Sequence, residues 1–234
     1  MFRVLLAGLL CFSTMLAYAQ SKDNDGHLNP ASVPLSSQRL RDFVPADWKI
    51  EEELTEDLNG DQRPDRILVL IDARVGQEEF AYDERALLVL LAQAGGGWRR
   101  IGLGNKLLLC QSCYGLNFQG PAAAPGIGVK KGILVIEQHF GGSMTQYVTH
   151  RLRYEATTKR MRLIGIDSRS FDRSTGDAVD ESTNYLTGKY SSSKTHVNIN
   201  QNEGEEEEED DLSTVTCLVL KKTYLEETDI SDFR

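Results

Sequence analysis

Two short apolar runs mark the centre of the predicted fold. Residues 67–71 and 86–92 consist of β-branched, leucyl and alanyl residues, and each run is too short for a typical helix. Strands that are buried on both faces have this composition. Three glycines, at 95–97, and then the segment 98–101 follow the second run. This is the pattern of a hairpin that turns on glycine. The chain is therefore predicted to build a sheet around two central strands.

Three later segments, 133–140, 147–154 and 161–166, predict an antiparallel meander. The second alternates apolar and polar residues at period two, as a strand with one buried face requires. Short polar or glycine-rich turns join the three segments. Further strands are predicted at 48–54 and 215–220. The fold class is thus mainly β, with antiparallel meander sheets in a propeller-blade-like or sandwich-like arrangement and little helix.

Polar stretches set the predicted boundaries. Residues 20–38 are turn-rich and lack an apolar period, which predicts a flexible N-terminal segment before a single β-rich domain at 39–234. One helical turn is expected at 39–44. Residues 168–193 are polar, with one short strand and turn possible at 180–188, and like charges predict an acidic mobile loop near 203–211. An acidic tail is expected from Tyr224 onward.

The first 19 residues have the pattern of a secretory signal peptide. Arg3 precedes an apolar run at 4–16, and Ala17-Tyr18-Ala19 is an A-x-A cleavage site. The run is too short to span a bilayer. We predict cleavage after Ala19 and a soluble chain that is periplasmic or secreted, with no membrane span after cleavage.

Charge narrows the range of partners. The formal net charge is -9, and removal of the leader takes away Arg3, so that it becomes -10. Binding to a phosphate backbone needs clustered cations, and this chain has no Lys/Arg-rich stripe. The sequence therefore argues against nucleic acid as a partner.

The densest chemistry lies in the loop before the first apolar run. Calcium prefers oxygen ligands, which proteins commonly supply from alternate positions of a tight loop. The side chains of Asp57, Asn59 and Asp61 have that spacing. The backbone carbonyl of Arg63 and the carboxylate of Asp65 are the predicted ligands that complete the shell. The alternative is an Asx-rich turn that holds no metal, because Asp, Asn and Gly are common turn residues.

The segment 57–65 resembles the D-x-[DN]-x-D-x-x-x-D calcium loop of FG-GAP and VCBS repeats, which joins strands in integrin-α-type propellers. It departs from them at Gln62, where those repeats commonly have glycine. The chain also resembles a group of exported bacterial proteins, mostly of unassigned function, through the segments 43–48, 96–98 and 139–143 and a cysteine pair. These resemblances imply a single structural Ca²⁺ loop and bring no known reaction.

Three cysteines remain after the predicted cleavage, Cys110, Cys113 and Cys217, and in an oxidising compartment they permit one disulfide. The bridge is predicted either within the C-x-x-C pair or from one of its members to Cys217. A thioredoxin-type redox role is the alternative, but no βαβ pattern surrounds the pair.

His139 and Ser143 flank a glycine turn and suggest a nucleophile and its base, although no G-x-S-x-G motif accompanies them. The function predicted from the sequence is an exported, calcium-binding β domain that acts as a binding or interaction module for a protein or glycan partner in the cell envelope. The alternative is a thiol-disulfide or hydrolytic enzyme.

Overall fold

The computed structural model describes residues 26–73, 84–111, 113, 125–197 and 208–233. The predicted signal segment 1–19 and residues 203–207 of the predicted acidic loop lie outside those ranges. No helix in the described part of the chain has the length and apolar character needed to cross a membrane.

A five-stranded antiparallel sheet forms the first layer. Its strands, in the spatial order β1-β5-β4-β3-β2, are β1 (Ser36–Ser37), β2 (Trp48–Glu56), β3 (Asp65–Asp72), β4 (Arg85–Ala92) and β5 (Trp98–Gly104). The two apolar runs of the sequence form β3 and β4, and they pair with each other at the centre of the sheet. The prediction of two central strands with a hairpin partner is confirmed.

A seven-stranded antiparallel meander forms the second layer, with neighbours in chain order. Its strands are β6 (Gly126–Lys130), β7 (Ile133–Gly141), β8 (Met144–Glu155), β9 (Arg160–Asp172), β10 (Asp177–Asn184), β11 (Lys189–Val197) and β12 (Glu208–Cys217). The two sheets pack on each other, so that the mainly β, antiparallel fold class is confirmed in its sandwich-like form.

Both faces of the five-stranded sheet are buried. Ile67 and Val69 belong to the core shared with the seven-stranded sheet, whereas Leu68 and Leu70 belong to a second core on the other face. That second core is closed by the N-terminal segment, whose Leu28 and Val33 are buried. Two isolated apolar residues thus connect part of the segment predicted to be flexible, 20–38, to this core. The helical turn expected at 39–44 is a 3₁₀ helix, Leu40–Phe43.

The polar region 168–193 is more ordered in strands than its sequence indicated. Strand β9 continues to Asp172, and β10 and β11 follow as full-length hairpin partners. Both faces of β10 and β11 carry mostly polar residues, with Ala178 as the buried exception. A strand with two polar faces shows no hydrophobic period in its sequence. Here the ladder hydrogen bonds with neighbouring strands hold it in the sheet.

The structure describes only part of the predicted acidic loop and of the predicted acidic tail. Within the described residues, the acidic run from Glu208 onward belongs to β12, which pairs with β11 and ends at Cys217, short of the predicted end at 220. After it, two 3₁₀ helices, Leu225–Glu227 and Ile230–Phe233, dock on the sandwich. Leu225 is fully buried, and a Cβ built at Gly102 or Gly104 would lie 2.7 Å from its side chain. The tail packs there because two glycines leave room for leucine.

Candidate functional site

The loop of residues 57–64 joins β2 to β3, and Asp57 organises its first half. One carboxylate oxygen of Asp57 accepts the backbone N–H of Gly60 at 2.8 Å, and the other accepts that of Gln62 at 2.8 Å. These N–H donors, with Gln62 first, hold the pKa of Asp57 below its usual value despite some desolvation. The negative charge of Asp57 is therefore solvated by backbone dipoles of its own loop.

Two residues of the loop have left-handed backbone conformations. Gly60 has a φ of +79° and Gln62 a φ of +63°. Glycine reaches this region without cost, but a residue with a Cβ atom pays roughly 1 kcal/mol. A glycine at the position of Gln62 would adopt this conformation without that cost.

The carboxylate of Asp61 has several donors within the loop. One oxygen accepts the backbone N–H of Arg63 at 2.9 Å. The other accepts the side-chain amide of Asn59 at 2.8 Å and also the guanidinium of Arg63. The loop thus supplies its own cation to Asp61, the guanidinium of Arg63. A metal ion would have to compete with this guanidinium for the carboxylate.

The carboxylate of Asp65 is the buried member of the group. One oxygen accepts the backbone N–H of Leu58 at 2.9 Å, and the other accepts that of Ala92, at the end of β4, at 2.8 Å. Burial raises the pKa of Asp65, the two N–H donors oppose this, and the charges of Asp61 and Asp57 add to the rise. A carboxylate that is buried beside two others is stabilised by any added positive charge.

The predicted metal ligands are brought together only in part. Asp57, Asn59, Asp61 and Arg63 lie within one hydrogen-bonded loop, and Asp65 is tied to that loop through Leu58. The donor atoms are carboxylate, amide and carbonyl oxygens, which fit calcium. In the described residues, however, no three His, Cys, Asp or Glu side chains surround a common point that could hold a metal. The donor types fit calcium, while Asp61 is turned towards Arg63.

The cysteines resolve the alternatives that the sequence left open. Cys110 and Cys113 form a disulfide with a Cα–Cα distance of 5.1 Å. Cys217, at the end of β12, has a free and exposed thiol. The bridge therefore lies within the C-x-x-C pair and does not involve Cys217.

This pairing predicts the result of thiol counting. We expect the folded chain without its predicted leader to react with one equivalent of maleimide, at Cys217, and with three equivalents after reduction and unfolding. Cys217→Ser should remove the reaction of the folded protein, whereas Cys110→Ala should increase it by freeing Cys113, the less buried member of the pair. Peptide mapping of the labelled protein checks the assignment, and label on Cys110 in the unreduced wild type would contradict the pairing.

His139 lies near the end of β7, and Ser143 lies in the turn between β7 and β8. The His139 ring stacks on Tyr147, with ring centroids 4.2 Å apart and an interplanar angle of 4°. Burial, followed by the charge of Arg173, lowers the pKa of His139. Ser143 is exposed, and its carbonyl oxygen accepts the backbone N–H of Arg173 at 2.9 Å. This geometry gives the imidazole a packing partner, and the enzymatic alternative stays a prediction.

Sequence reasoning missed a groove on the seven-stranded sheet. It has a volume of about 590 Å³, and its lining comes from β8 to β12. Ligand pockets commonly have volumes of this order. Most of the lining residues are serine, threonine, aspartate or other polar residues from the region that the sequence presented as irregular.

No protein-family model, curated protein or solved structure matches this chain.

Proposed function

We propose that this protein is an exported β domain that binds Ca²⁺ in the β2–β3 loop and acts as a binding module for a partner in the cell envelope. The observation that supports the metal is the buried carboxylate of Asp65, whose pKa is raised by burial and by the charges of Asp61 and Asp57. At neutral pH the ionised form of Asp65 costs folding free energy, and a divalent cation would offset that cost.

The role proposed for the metal is structural. Asp65 begins β3, and its carboxylate joins the loop to the end of β4 through Leu58 and Ala92. Bound Ca²⁺ would supply positive charge to the carboxylates. The loop would then hold β2 and β3 at a fixed angle, which would stabilise the five-stranded sheet on which the seven-stranded sheet packs.

Calcium is expected to raise the melting temperature. Extracellular calcium modules commonly bind in the range of about 0.1–1 mM, so a concentration roughly a hundredfold above the dissociation constant adds about 2.7 kcal/mol. For a domain of this size that is a rise of about 5 °C or more. Asp61→Ala should abolish the rise, since it removes a carboxylate. Arg63→Ala should strengthen calcium binding several-fold, because it keeps the backbone carbonyl and removes the competing guanidinium.

Asp172→Ala is the matched control. Asp172 also accepts a backbone N–H two residues ahead, from Ser174 at 2.8 Å, in a turn that lies outside the proposed site. Its calcium response should equal that of the wild type. An unchanged melting temperature of the wild type at about 10–100 mM calcium, which is roughly a hundredfold above that range of dissociation constants, or an equal rise in Asp61→Ala, would remove the metal from the proposal.

A further inference from the structure

The outer face of the seven-stranded sheet, which is the face turned away from the core, carries two rows of residues that run across the strands. Alternation along β8 places Val148 and Leu152 in the core, and therefore Tyr147 and Thr149 on the outer face. The first row consists of directly paired residues on successive strands: His139, Tyr147, Arg169, Asp180, Ser193 and Ser213. The second is built in the same way: Glu137, Thr149, Asp167, Ser182, Ser191 and Val215.

The five residues of each row from β8 to β12 line the groove of about 590 Å³, which we call the polar groove. Neighbouring strands lie about 4.8 Å apart, so the rows from β7 to β12 extend over roughly 24 Å. Solvent reaches the groove, since Tyr147 is 46% exposed and Val215 is 64% exposed. Its dimensions suit an extended ligand that crosses the strands.

The charged side chains of the two rows within the polar groove have partners of opposite charge. Glu181 also lines the groove, but it belongs to neither row, and its carboxylate accepts the hydroxyl of Tyr190. Arg169 lies 3.4 Å from Asp180, and Arg151, beside the groove on β8, forms an ion pair with Asp167. Ser182 also donates its hydroxyl to Asp167 at 2.7 Å. A surface whose charges are already compensated offers no net attraction to a polyanion or a polycation, which leaves hydrogen bonding as its main polar interaction.

The groups that remain are those that recognise sugar hydroxyls. Carboxylates accept hydrogen bonds from sugar hydroxyls, and a guanidinium donates hydrogen bonds to hydroxyl oxygens. The serine hydroxyls of the two rows can do both. Tyr147 is fixed in place by its stack on His139, and the stack leaves it half-exposed at one end of the groove. A fixed aromatic ring provides an apolar surface for the C–H face of a sugar ring. A peptide that extended the sheet would instead need a free strand edge, since its affinity comes from main-chain hydrogen bonds.

We propose that the polar groove binds an uncharged oligosaccharide that lies across β8 to β12, with Tyr147 as the stacking platform and Asp167, Arg169 and Asp180 as hydrogen-bonding groups. This inference rests on the proposed function as a binding module, and it specifies the class of partner.

The test is binding of the full chain without its predicted leader to an array of immobilised neutral oligosaccharides, built from hexoses and N-acetylhexosamines, with sulfated and uronic-acid glycans as charged comparators. Calorimetry then measures the affinity for the best probe. We expect neutral glycans to bind, and Tyr147→Ala and Asp180→Asn each to weaken binding at least tenfold. Tyr147→Phe should retain most of the affinity, because it keeps the ring.

Tyr190→Ala is the matched control. Tyr190 lies on the opposite face of β11, where its hydroxyl donates to Glu181, so that its loss should change the affinity less than twofold. Thermal melts of all variants show whether they are folded. The inference is overturned if no neutral glycan binds, if only charged glycans bind, or if Tyr147→Ala binds as well as the wild type.

These outcomes are independent of the calcium measurement. A wild-type protein that calcium stabilises but that binds no neutral glycan would retain the proposed metal loop and refute the groove. Glycan binding that depends on the polar groove, without any response to calcium, would support the groove and refute the proposed metal loop.

Discussion

Replacing Arg85 by alanine is expected to lower the free energy of unfolding by about 2–4 kcal/mol, because it leaves the buried carbonyl of Leu109 without this donor and the partly exposed carboxylate of Glu51 without its cation. Arg85 begins β4, and its side chain is only 1% exposed. Its guanidinium donates to both carboxylate oxygens of Glu51, at 2.6 and 2.7 Å, and to the carbonyl oxygen of Leu109 at 3.1 Å. The truncation would leave both acceptors without this donor.

Urea unfolding of three variants measures this effect. Arg85→Ala should show the full loss, and Arg85→Lys an intermediate loss, because an ammonium cannot donate to two carboxylate oxygens with the same geometry. Arg39→Ala is the control: Arg39 pairs with Asp42, but its side chain is 80% exposed, and exposed pairs contribute at most about 1 kcal/mol. Equal losses in Arg85→Ala and Arg39→Ala would show that the pair of Arg85 and Glu51 contributes no more to stability than an exposed pair does.

The role of Arg85 illustrates what the sequence could not provide. It stands at the end of a polar stretch, 72–85, which reads as a connection, and its partner Glu51 is 34 positions away on β2. A pairing over that distance follows from the three-dimensional arrangement and leaves no local pattern. The adjacent run 86–92 was predictable, because residues that are apolar on both faces require a layer on each side.

The same contrast separates the two halves of the seven-stranded sheet. Strands β7 to β9 pack on the five-stranded sheet, and their inward residues, such as Leu134 and Leu152, gave the period-two signal. Strands β10 and β11 carry mostly polar residues on both faces, so that Asp180 and Ser193 could not be assigned to a face before the register was known. The polar groove was invisible in the sequence for this reason.

The loop of residues 57–64, with Asp65, lies between these cases. Its oxygen side chains were identifiable from spacing, whereas the positive φ of Gln62 was not. Spacing did not reveal that Arg63 contacts Asp61, or that Asp65 accepts a hydrogen bond from Ala92 of another strand. Local sequence predicts a turn and its donors, whereas the contacts that decide metal affinity depend on side-chain direction and on tertiary neighbours.

Stability is expected to fall by about 3 kcal/mol as the pH is lowered from about 7 to about 4, owing to one histidine. His150, on β8, is fully buried, and its direct cross-strand neighbours are Ile136 and Ile166. Burial lowers its pKa from 6.5 to about 4. Below pH 6.5 the unfolded chain binds a proton that the folded chain does not take up until about pH 4, so that this contribution to stability is lost across that interval.

Unfolding of the wild type and of His150→Leu at a series of pH values between about 7 and 4 isolates this contribution. The leucine variant should lose about 3 kcal/mol less over the interval, because it has no imidazole to protonate. His196→Gln is the control, since His196 is half-exposed and pairs with Asp177 at the surface. Asp65 acts in the opposite direction, because a raised carboxyl pKa restores stability as the pH falls. Equal pH profiles for the wild type and His150→Leu would contradict the prediction, because they would mean that His150 has the same pKa in the folded and the unfolded chain.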